Sequence, residues 1–377
     1  MIHPHLNRLV WAEIDLTNYS YNFQQIRKIV GPKVKIMAVV KANAYGHGIV
    51  EISKKAVELG AYYLGVVCLY EALQLREAGI TAPILILNYL DPPNLSRALE
   101  KDITITVMDQ DALLEADRLG RKLGRKAKIH IKIDTGMHRA GVLAKDAVQF
   151  IQSIEKYKNI ALEGVFTHFA CVDEKDLSYT QYQLSVFYTL LKKLKELKVS
   201  PPLIHTANSA AMLRLPESHF SMVRPGIILY GLKPSSEFKL PFVPKPVMKL
   251  KTLVAQVRWI KKGETVGYGR TFTTRSNRRI ALLPVGYADG FRRAPYTWKE
   301  VLIRGKRAPL IGRVSMDQST VDVTKVGGIS VGDEVVLIGP QGNDVITANE
   351  VADWLGTINY EVVAGLAARV VRVYRKT

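Results

Sequence analysis

Apolar residues run almost without interruption over 34–40, 63–68, 84–87, 103–107, 129–133, 162–167, 203–206 and 222–230. Short runs of this kind, rich in Val, Ile and Leu, predict strands buried on both faces. Between them the apolar positions recur every three or four residues, clearly so over 71–78, 111–123, 145–156 and 180–197. That spacing predicts helices with one stripe toward a core, read in the last of them through Tyr182, Val186 and Leu194. Eight strands alternating with helical or connecting segments predict an α/β fold, a (β/α)8 barrel of the TIM type. A short alternating strand over 11–16 precedes the first barrel helix, with Thr17-Asn18 offering its cap.

The rhythm changes after Gly231. Pro234, Pro241, Pro244 and Pro246 crowd one short span, as in a linker between domains. Beyond it, alternating runs over 253–260, 279–284, 301–303, 319–323 and 334–338 are separated by glycine-rich turns and interrupted by one helix over 348–355. The pattern predicts a C-terminal, mostly β domain. The expected boundaries are 12–244 for the barrel and 245–377 for the second domain, which is joined by an N-terminal strand within 1–11.

Composition changes this picture little. The chain has 377 residues, 47% of them hydrophobic, enough to fill two cores. Its 2 cysteines, Cys68 and Cys171, make no disulfide framework and no metal-ligand pair. The start lacks the apolar stretch of a secretory signal and no run is long enough to span a bilayer, so a cytoplasmic location is expected, without membrane attachment. A net charge of +19 raises the question of nucleic acid. The basic clusters, however, are scattered over helix faces and turns with little aromatic interleaving, which describes a solvated surface and no nucleic-acid partner.

The chemistry gathers at the C-terminal ends of the predicted strands, where barrel proteins keep reactive groups. The first run ends in Val40-Lys41-Ala42-Asn43-Ala44-Tyr45-Gly46-His47-Gly48. A desolvated lysine beside other cations can lose its proton and form a Schiff base with an aldehyde such as pyridoxal phosphate. Tyr45 and the following glycines bring a hydroxyl and close backbone near a phosphate. The fifth strand delivers Lys132, Asp134 and then Arg139; the sixth ends in His168; the seventh gives His205, Asn208 and Ser209; the eighth gives Arg224 with Pro225-Gly226-Ile227. Ser209 can cap a helix whose N-terminus holds an anion, and Gly226 and Ile227 can offer backbone N–H groups. Arg224 cannot accept a proton, so beside a pyridine nitrogen it would keep that ring neutral.

The segment around Lys41 resembles the pyridoxal phosphate motif of bacterial alanine racemases. His205-Thr206-Ala207-Asn208-Ser209-Ala210-Ala211, Arg224-Pro225-Gly226-Ile227 and Thr357-Ile358-Asn359-Tyr360-Glu361 are similar to further motifs of that family, in order along nearly the whole chain. The resemblance implies pyridoxal 5'-phosphate as cofactor, with its phosphate held by Tyr45, Ser209, Gly226, Ile227 and Tyr360, and Asn208 as a further cofactor-binding residue. It also places Arg224 on the pyridine nitrogen and His168 against the ring. Racemisation takes two bases, one for each face of Cα. Val266-Gly267-Tyr268-Gly269-Arg270-Thr271-Phe272 resembles the family segment that supplies the second, so Tyr268 would be paired with Lys41. A phenol needs about 3 units of help to act near neutrality, which the family draws from a Tyr268–His168–Arg224 chain.

Gly312-Arg313-Val314-Ser315-Met316-Asp317 resembles a segment that, like Tyr268, reaches the partner's site in a homodimer. There the Met316 N–H and Arg139 would hold the carboxylate of alanine, with Asp317 in support. Lys132 matches a position that is carbamylated in some members. Ser315 and Ala140 stand where cysteine and leucine are common. The expectation is therefore a homodimeric alanine racemase that supplies D-alanine for peptidoglycan. The rivals are a serine or broad-range amino-acid racemase and, from a different class, a non-catalytic pyridoxal phosphate carrier.

Overall fold

The computed structural model describes residues 8–375, which form two compact units. The second unit, Tyr19–Ala44 with Ile49–Lys245, is the expected barrel. Its parallel strands are Lys35–Val39, Tyr63–Val66, Ile84–Ile86, Thr104–Val107, Ala127–Asp134, Ile160–Phe166, Leu203–His205 and Met222–Val223, in that order around the sheet. The eighth pairs with the first, Met222 opposite Lys35 and Val223 opposite Ile36. Between the seventh and eighth, the N–H groups of Ser221 and Arg224 donate to the carbonyls of Ile204 (3.1 Å) and Ala207 (2.8 Å). Side chains from five strands, Met37, Tyr63, Leu85, Leu203 and Met222, meet inside as one buried cluster. Each fully buried apolar side chain of this size stabilises the fold by roughly 1.5–3 kcal/mol.

Two details of the barrel differ from the expected pattern. The run over 222–230 is a strand only at Met222–Val223; Pro225 lacks an N–H for the ladder, and Ile227–Tyr230 turns into a 3-10 helix. The long helix Ser178–Glu196 buries Thr180, Leu184, Phe187, Leu190 and Leu194, whereas Tyr182 is exposed. Of the stripe read from the sequence, Leu194 is buried and Val186 half-buried.

The first unit comprises the described residues up to Asn18, residues 45–48 and everything from Pro246 onward. Its main sheet runs Gln256–Ile260, Arg278–Leu283, Ser319–Asp322, Lys306–Ile311, Glu300–Ile303, Glu334–Gln341, Met248–Leu253, Trp11–Asp15, Val371–Arg375. Of the span 1–11 given for the joining strand, residues 1–7 lie outside the described residues; the strand that joins the sheet is Trp11–Asp15, the one expected over 11–16. It pairs antiparallel with Met248–Leu253 and parallel with Val371–Arg375, so the barrel starts at Tyr19 rather than at 12. Asp15, not Thr17 or Asn18, caps the helix Leu16–Val30, its Oδ1 accepting from the Asn18 N–H at 2.9 Å. The helix Ala348–Leu355 has the Thr347 side chain as its cap and Gly356 at a φ of 63° as its stop.

Candidate active site

Lys41 follows the strand Lys35–Val39, which is secured there by the Tyr230 hydroxyl donating to the Val39 carbonyl at 2.9 Å. Directly after it, Ala42, Asn43, Ala44 and Tyr45 all have φ between 52° and 54°. Four successive non-glycine residues in the left-handed region are strained, at about 1–2 kcal/mol each. The turn is held by the Ala44 N–H on the Val40 carbonyl (2.8 Å) and the Ile49 N–H on the Asn43 Oδ1 (2.9 Å). The Glu71 carboxylate accepts from the Ala42 N–H at 2.5 Å. The Lys41 amine is lowered below the ordinary lysine range, first by burial, then by Arg139 and Arg224, against the opposing pull of Glu71.

Arg224 is buried. Its NH1 donates to the carbonyl (2.7 Å) and Nδ1 (2.9 Å) of His205; its NH2 donates to the carbonyls of Thr167 (2.8 Å) and Thr206 (3.0 Å) and to His168 Nδ1 (3.2 Å). An arginine only donates, so both imidazoles must accept at Nδ1 and carry their proton on Nε2. The Nε2–H of His205 then donates to Nδ1 of His130 at 2.8 Å, which puts the His130 proton on Nε2, where it has no partner. Burial, reinforced by Arg224, pushes His130 down to about 3 and holds His205 and His168 well below the usual imidazole range. All three rings are therefore neutral at physiological pH. The guanidinium charge stays, with its Nε–H unspent among the described residues.

The strand Ala127–Asp134 ends in a tight turn. The Asp134 Oδ1 accepts from the N–H groups of Gly136 (2.9 Å) and His138 (3.1 Å), and the chain emerges at exposed Arg139. Lys132 is buried and lowered to about 8, by burial first and then by Arg139 and Arg224. At the seventh strand the sequence expectation is corrected by one residue. Asn208, not Ser209, caps Ser209–Arg214, its side chain accepting from the Ala211 N–H at 3.0 Å. Ser209 instead accepts from the Gly226 N–H at 2.9 Å, joining the two expected phosphate segments. With only 6 residues, this helix contributes little dipole, and the Gly226 N–H is spent on Ser209, so the Ser209 hydroxyl and the Ile227 N–H are the donors that could take an anion there.

The first unit contributes the remaining expected residues. Tyr268 is 67% exposed on a turn between Gly267 (φ 72°) and Gly269 (φ 71°), with the Arg293 guanidinium 5.8 Å from its ring centre. It borders a cavity of about 800 Å³ whose lining includes Tyr287, Arg293, Trp298, Met316 and Glu361. The Ser315 and Met316 carbonyls accept from the N–H groups of Tyr287 and Ala288, each at 3.0 Å. This packing demands Gly286, where a Cβ would lie 2.3 Å from both oxygens. Asp317 accepts from Arg369 at 2.6 Å. Tyr45 and Tyr360 also belong to this unit, their ring centres 6.1 Å apart.

Sequence reading missed Glu71, His130 and the acceptor role of Thr167. A glutamate in a first helical turn reads as a dipole complement and a histidine in an apolar run as filling. The donor set fits pyridoxal phosphate: a lowered lysine amine, an arginine N–H without an acceptor, and a serine hydroxyl beside backbone donors. No group of His, Cys, Asp and Glu suited to a metal occurs among the described residues.

Fold and donor set together define a barrel protein whose strand ends are suited to an anionic aldehyde cofactor. Known proteins make the class specific. The profile of the alanine racemase N-terminal domain matches residues 14–234, and that of the C-terminal domain residues 247–374. The chain is 46% identical over 367 residues to the alanine racemase of Methanococcus maripaludis, covering 97% of this chain and 98% of that one. Its fold is similar to alanine racemase from Bacillus anthracis with bound L-Ala-P, at a TM-score of 0.94 and 42% identity over 99% of this chain and 96% of that one. It is also similar to a histidine racemase from Leuconostoc mesenteroides, at 0.90 and 30% over 99% of both. The chain belongs to the alanine racemase family.

Proposed function

We propose that this protein interconverts L-alanine and D-alanine with pyridoxal 5'-phosphate, as a homodimer whose sites are shared between subunits. When bound, the cofactor supplies a conjugated ring that takes up electron density from the Cα–H bond. Lys41 would hold it covalently, and its amine, once free, would exchange the proton on the D-face; Tyr268 would exchange the proton on the L-face. The observation that carries the reading is Arg224. A buried guanidinium that spends NH1 and NH2 on five acceptors keeps Nε–H for a ring nitrogen and cannot surrender a proton to it. A ring kept neutral would draw less electron density away from Cα than a protonated one, so the proton would be returned quickly, which is what a racemase needs.

The remaining roles follow the same chemistry. Tyr45, Ser209, Gly226, Ile227 and Tyr360 would hold the phosphate, Asn208 would support it as the cap of the Ser209 helix, and His168 would lie against the ring. Arg139 and the Met316 N–H hold the substrate carboxylate, with Asp317 keeping its loop in place through Arg369. An exposed tyrosine beside Arg293 on a glycine-flanked turn supports a base offered to another subunit. The lowered Lys132 is unprotonated in part near pH 8, which makes its amine a nucleophile for carbon dioxide. Carbamylation would turn a cation beside Arg139 into its anionic partner. Free Cys68 and Cys171 agree with a reducing cytoplasm, where D-alanine would serve peptidoglycan synthesis. No helix among the described residues is long and apolar enough to cross a membrane.

Chiral analysis of L-alanine, L-serine and L-histidine incubated with the purified protein and cofactor tests the reading. Alanine should approach an equal mixture while serine and histidine lag far behind. Equal rates for serine would favour the broad-range alternative. No conversion by a protein that still carries reducible cofactor would leave the non-catalytic carrier. The histidine racemase of similar fold makes this a comparison of substrates and not of activity alone.

A further inference from the structure

The strained turn after Lys41 and the carboxylate that meets it have a joint explanation. Glu71 is buried in the first turn of the helix Leu69–Glu77. Its two oxygens do different things: Oε2 accepts from the Val67 N–H at 2.9 Å, one residue before its own helix cap, and Oε1 crosses to the Ala42 N–H at 2.5 Å. The first bond is local and would serve any helix start. The second joins the end of one barrel strand to the helix after the next, at the residue that begins the left-handed turn. Ala42 has no glycine's freedom there, with φ 53° and ψ 51°. A charged acceptor, fixed to its helix by the other oxygen, offsets that strain. Around Lys41, the cations Arg139 and Arg224 act against its protonation, and Glu71 is the carboxylate that opposes them.

We propose that Glu71 is a positioning residue for Lys41, clamping Ala42 so that the left-handed turn, and with it the lysine that bears the cofactor, keeps one orientation. This rests on Lys41 as the cofactor-bearing residue.

The test uses holoenzyme of wild type, Glu71→Gln, Glu71→Asp and the double variant Glu71→Gln/Ala42→Gly. A glutamine can accept from one N–H but turns an NH2 toward the other. A glycine at 42 takes positive φ without strain. Release of cofactor into hydroxylamine is followed by absorbance, alongside kcat, the KM for alanine and thermal melting. Loss of one hydrogen bond to a charged group corresponds to roughly tenfold. Glu71→Gln should therefore release cofactor about that much faster and lower kcat with little change in KM; Ala42→Gly should restore most of the retention, and Glu71→Asp should fall between. Glu71→Gln with wild-type release, however much its melting temperature drops, would reduce Glu71 to a helix cap and overturn the proposal. If Glu71→Gln does not fold, the double variant decides. Restored folding and retention support the clamp, and failure of Ala42→Gly to restore either rejects it. Wild type without borohydride-reducible cofactor on Lys41 would instead bring down the reading of the lysine, and this inference with it.

Discussion

A buried arginine with five acceptors is costly to place and costly to disturb. Lysine at 224 would keep the charge, but three donors on a single nitrogen cannot serve two imidazoles and three carbonyls spread around a planar fork. Arg224→Lys should therefore lose roughly 2–4 kcal/mol of stability, from acceptors left unpaired in the interior, seen as a lower urea midpoint. A variant with unchanged stability would mean that water reaches these groups. Lys132 gives a prediction with a sign. Unfolded, it holds its proton up to the ordinary 10.5; folded, it gives it up at about 8. Between those values the unfolded chain binds more protons, so this residue's penalty is complete below pH 8 and is relieved as pH rises. In buffers freed of carbon dioxide, wild type should gain stability relative to Lys132→Met between pH ~8 and ~10. A constant difference across that range would refute the lowered value. Intact mass measured without acid, showing no added carboxyl group, would remove the carbamate. Lysine and arginine were visible in the sequence as strand-end cations, but the tautomers of His205, His130 and His168 were not, because they depend on a donor that arrives from the eighth strand.

Elements were legible to the extent that their burial was uniform. Parallel strands covered on both faces read as unbroken apolar runs, and the eight runs became eight strands. Errors fell at the ends, where one side chain decides: Asp15 took the cap expected of Thr17-Asn18, and Asn208 that expected of Ser209. The turn after Lys41 left no trace in the sequence, because left-handed backbone is normally signalled by glycine and none stands at 42–45. A second close approach is signalled. Gly141 has a φ of 131°, and a Cβ there would sit 2.8 Å from the Asp134 N and 3.0 Å from the Lys132 O. Gly141→Ala should push the strand bearing Lys132 aside, costing about 1–3 kcal/mol and weakening alanine binding through the Arg139 turn. A rise in KM accompanied by a lower melting temperature is the expected pair, and an unchanged KM would uncouple the turn from the substrate. Asn208→Ala should cost about 1 kcal/mol as a lost cap, with cofactor affinity reduced because Ser209 starts the same helix.

At the scale of the whole molecule, the proposed sharing of sites is testable by complementation. Lys41→Ala should lose covalent cofactor and nearly all turnover; Tyr268→Phe should keep the cofactor and lose racemisation. If Lys41 of one subunit works with Tyr268 of the other, a heterodimer of the two variants has one site with both residues intact and one with neither. Random pairing of equal amounts makes half the dimers mixed, so about a quarter of wild-type activity should return. If each subunit used its own tyrosine, the mixture would stay inactive.

By itself the sequence determined the (β/α)8 pattern, the change to β structure after Gly231 and the gathering of Lys41, Lys132, Arg139, His168 and Arg224 at strand ends. These follow from the alternation and length of apolar runs, which are local properties of the chain. Tertiary structure alone decided that Trp11–Asp15 lies between Met248–Leu253 and Val371–Arg375, more than two hundred residues away along the chain. It also decided that Arg224 sets the tautomers of two histidines and, through His205, that of His130, and that Glu71 meets Ala42. Each of these is a pairing of backbone or polar groups from distant segments. Nearly every residue carries the same N–H and C=O, so nothing in its own neighbourhood records which partner it will find.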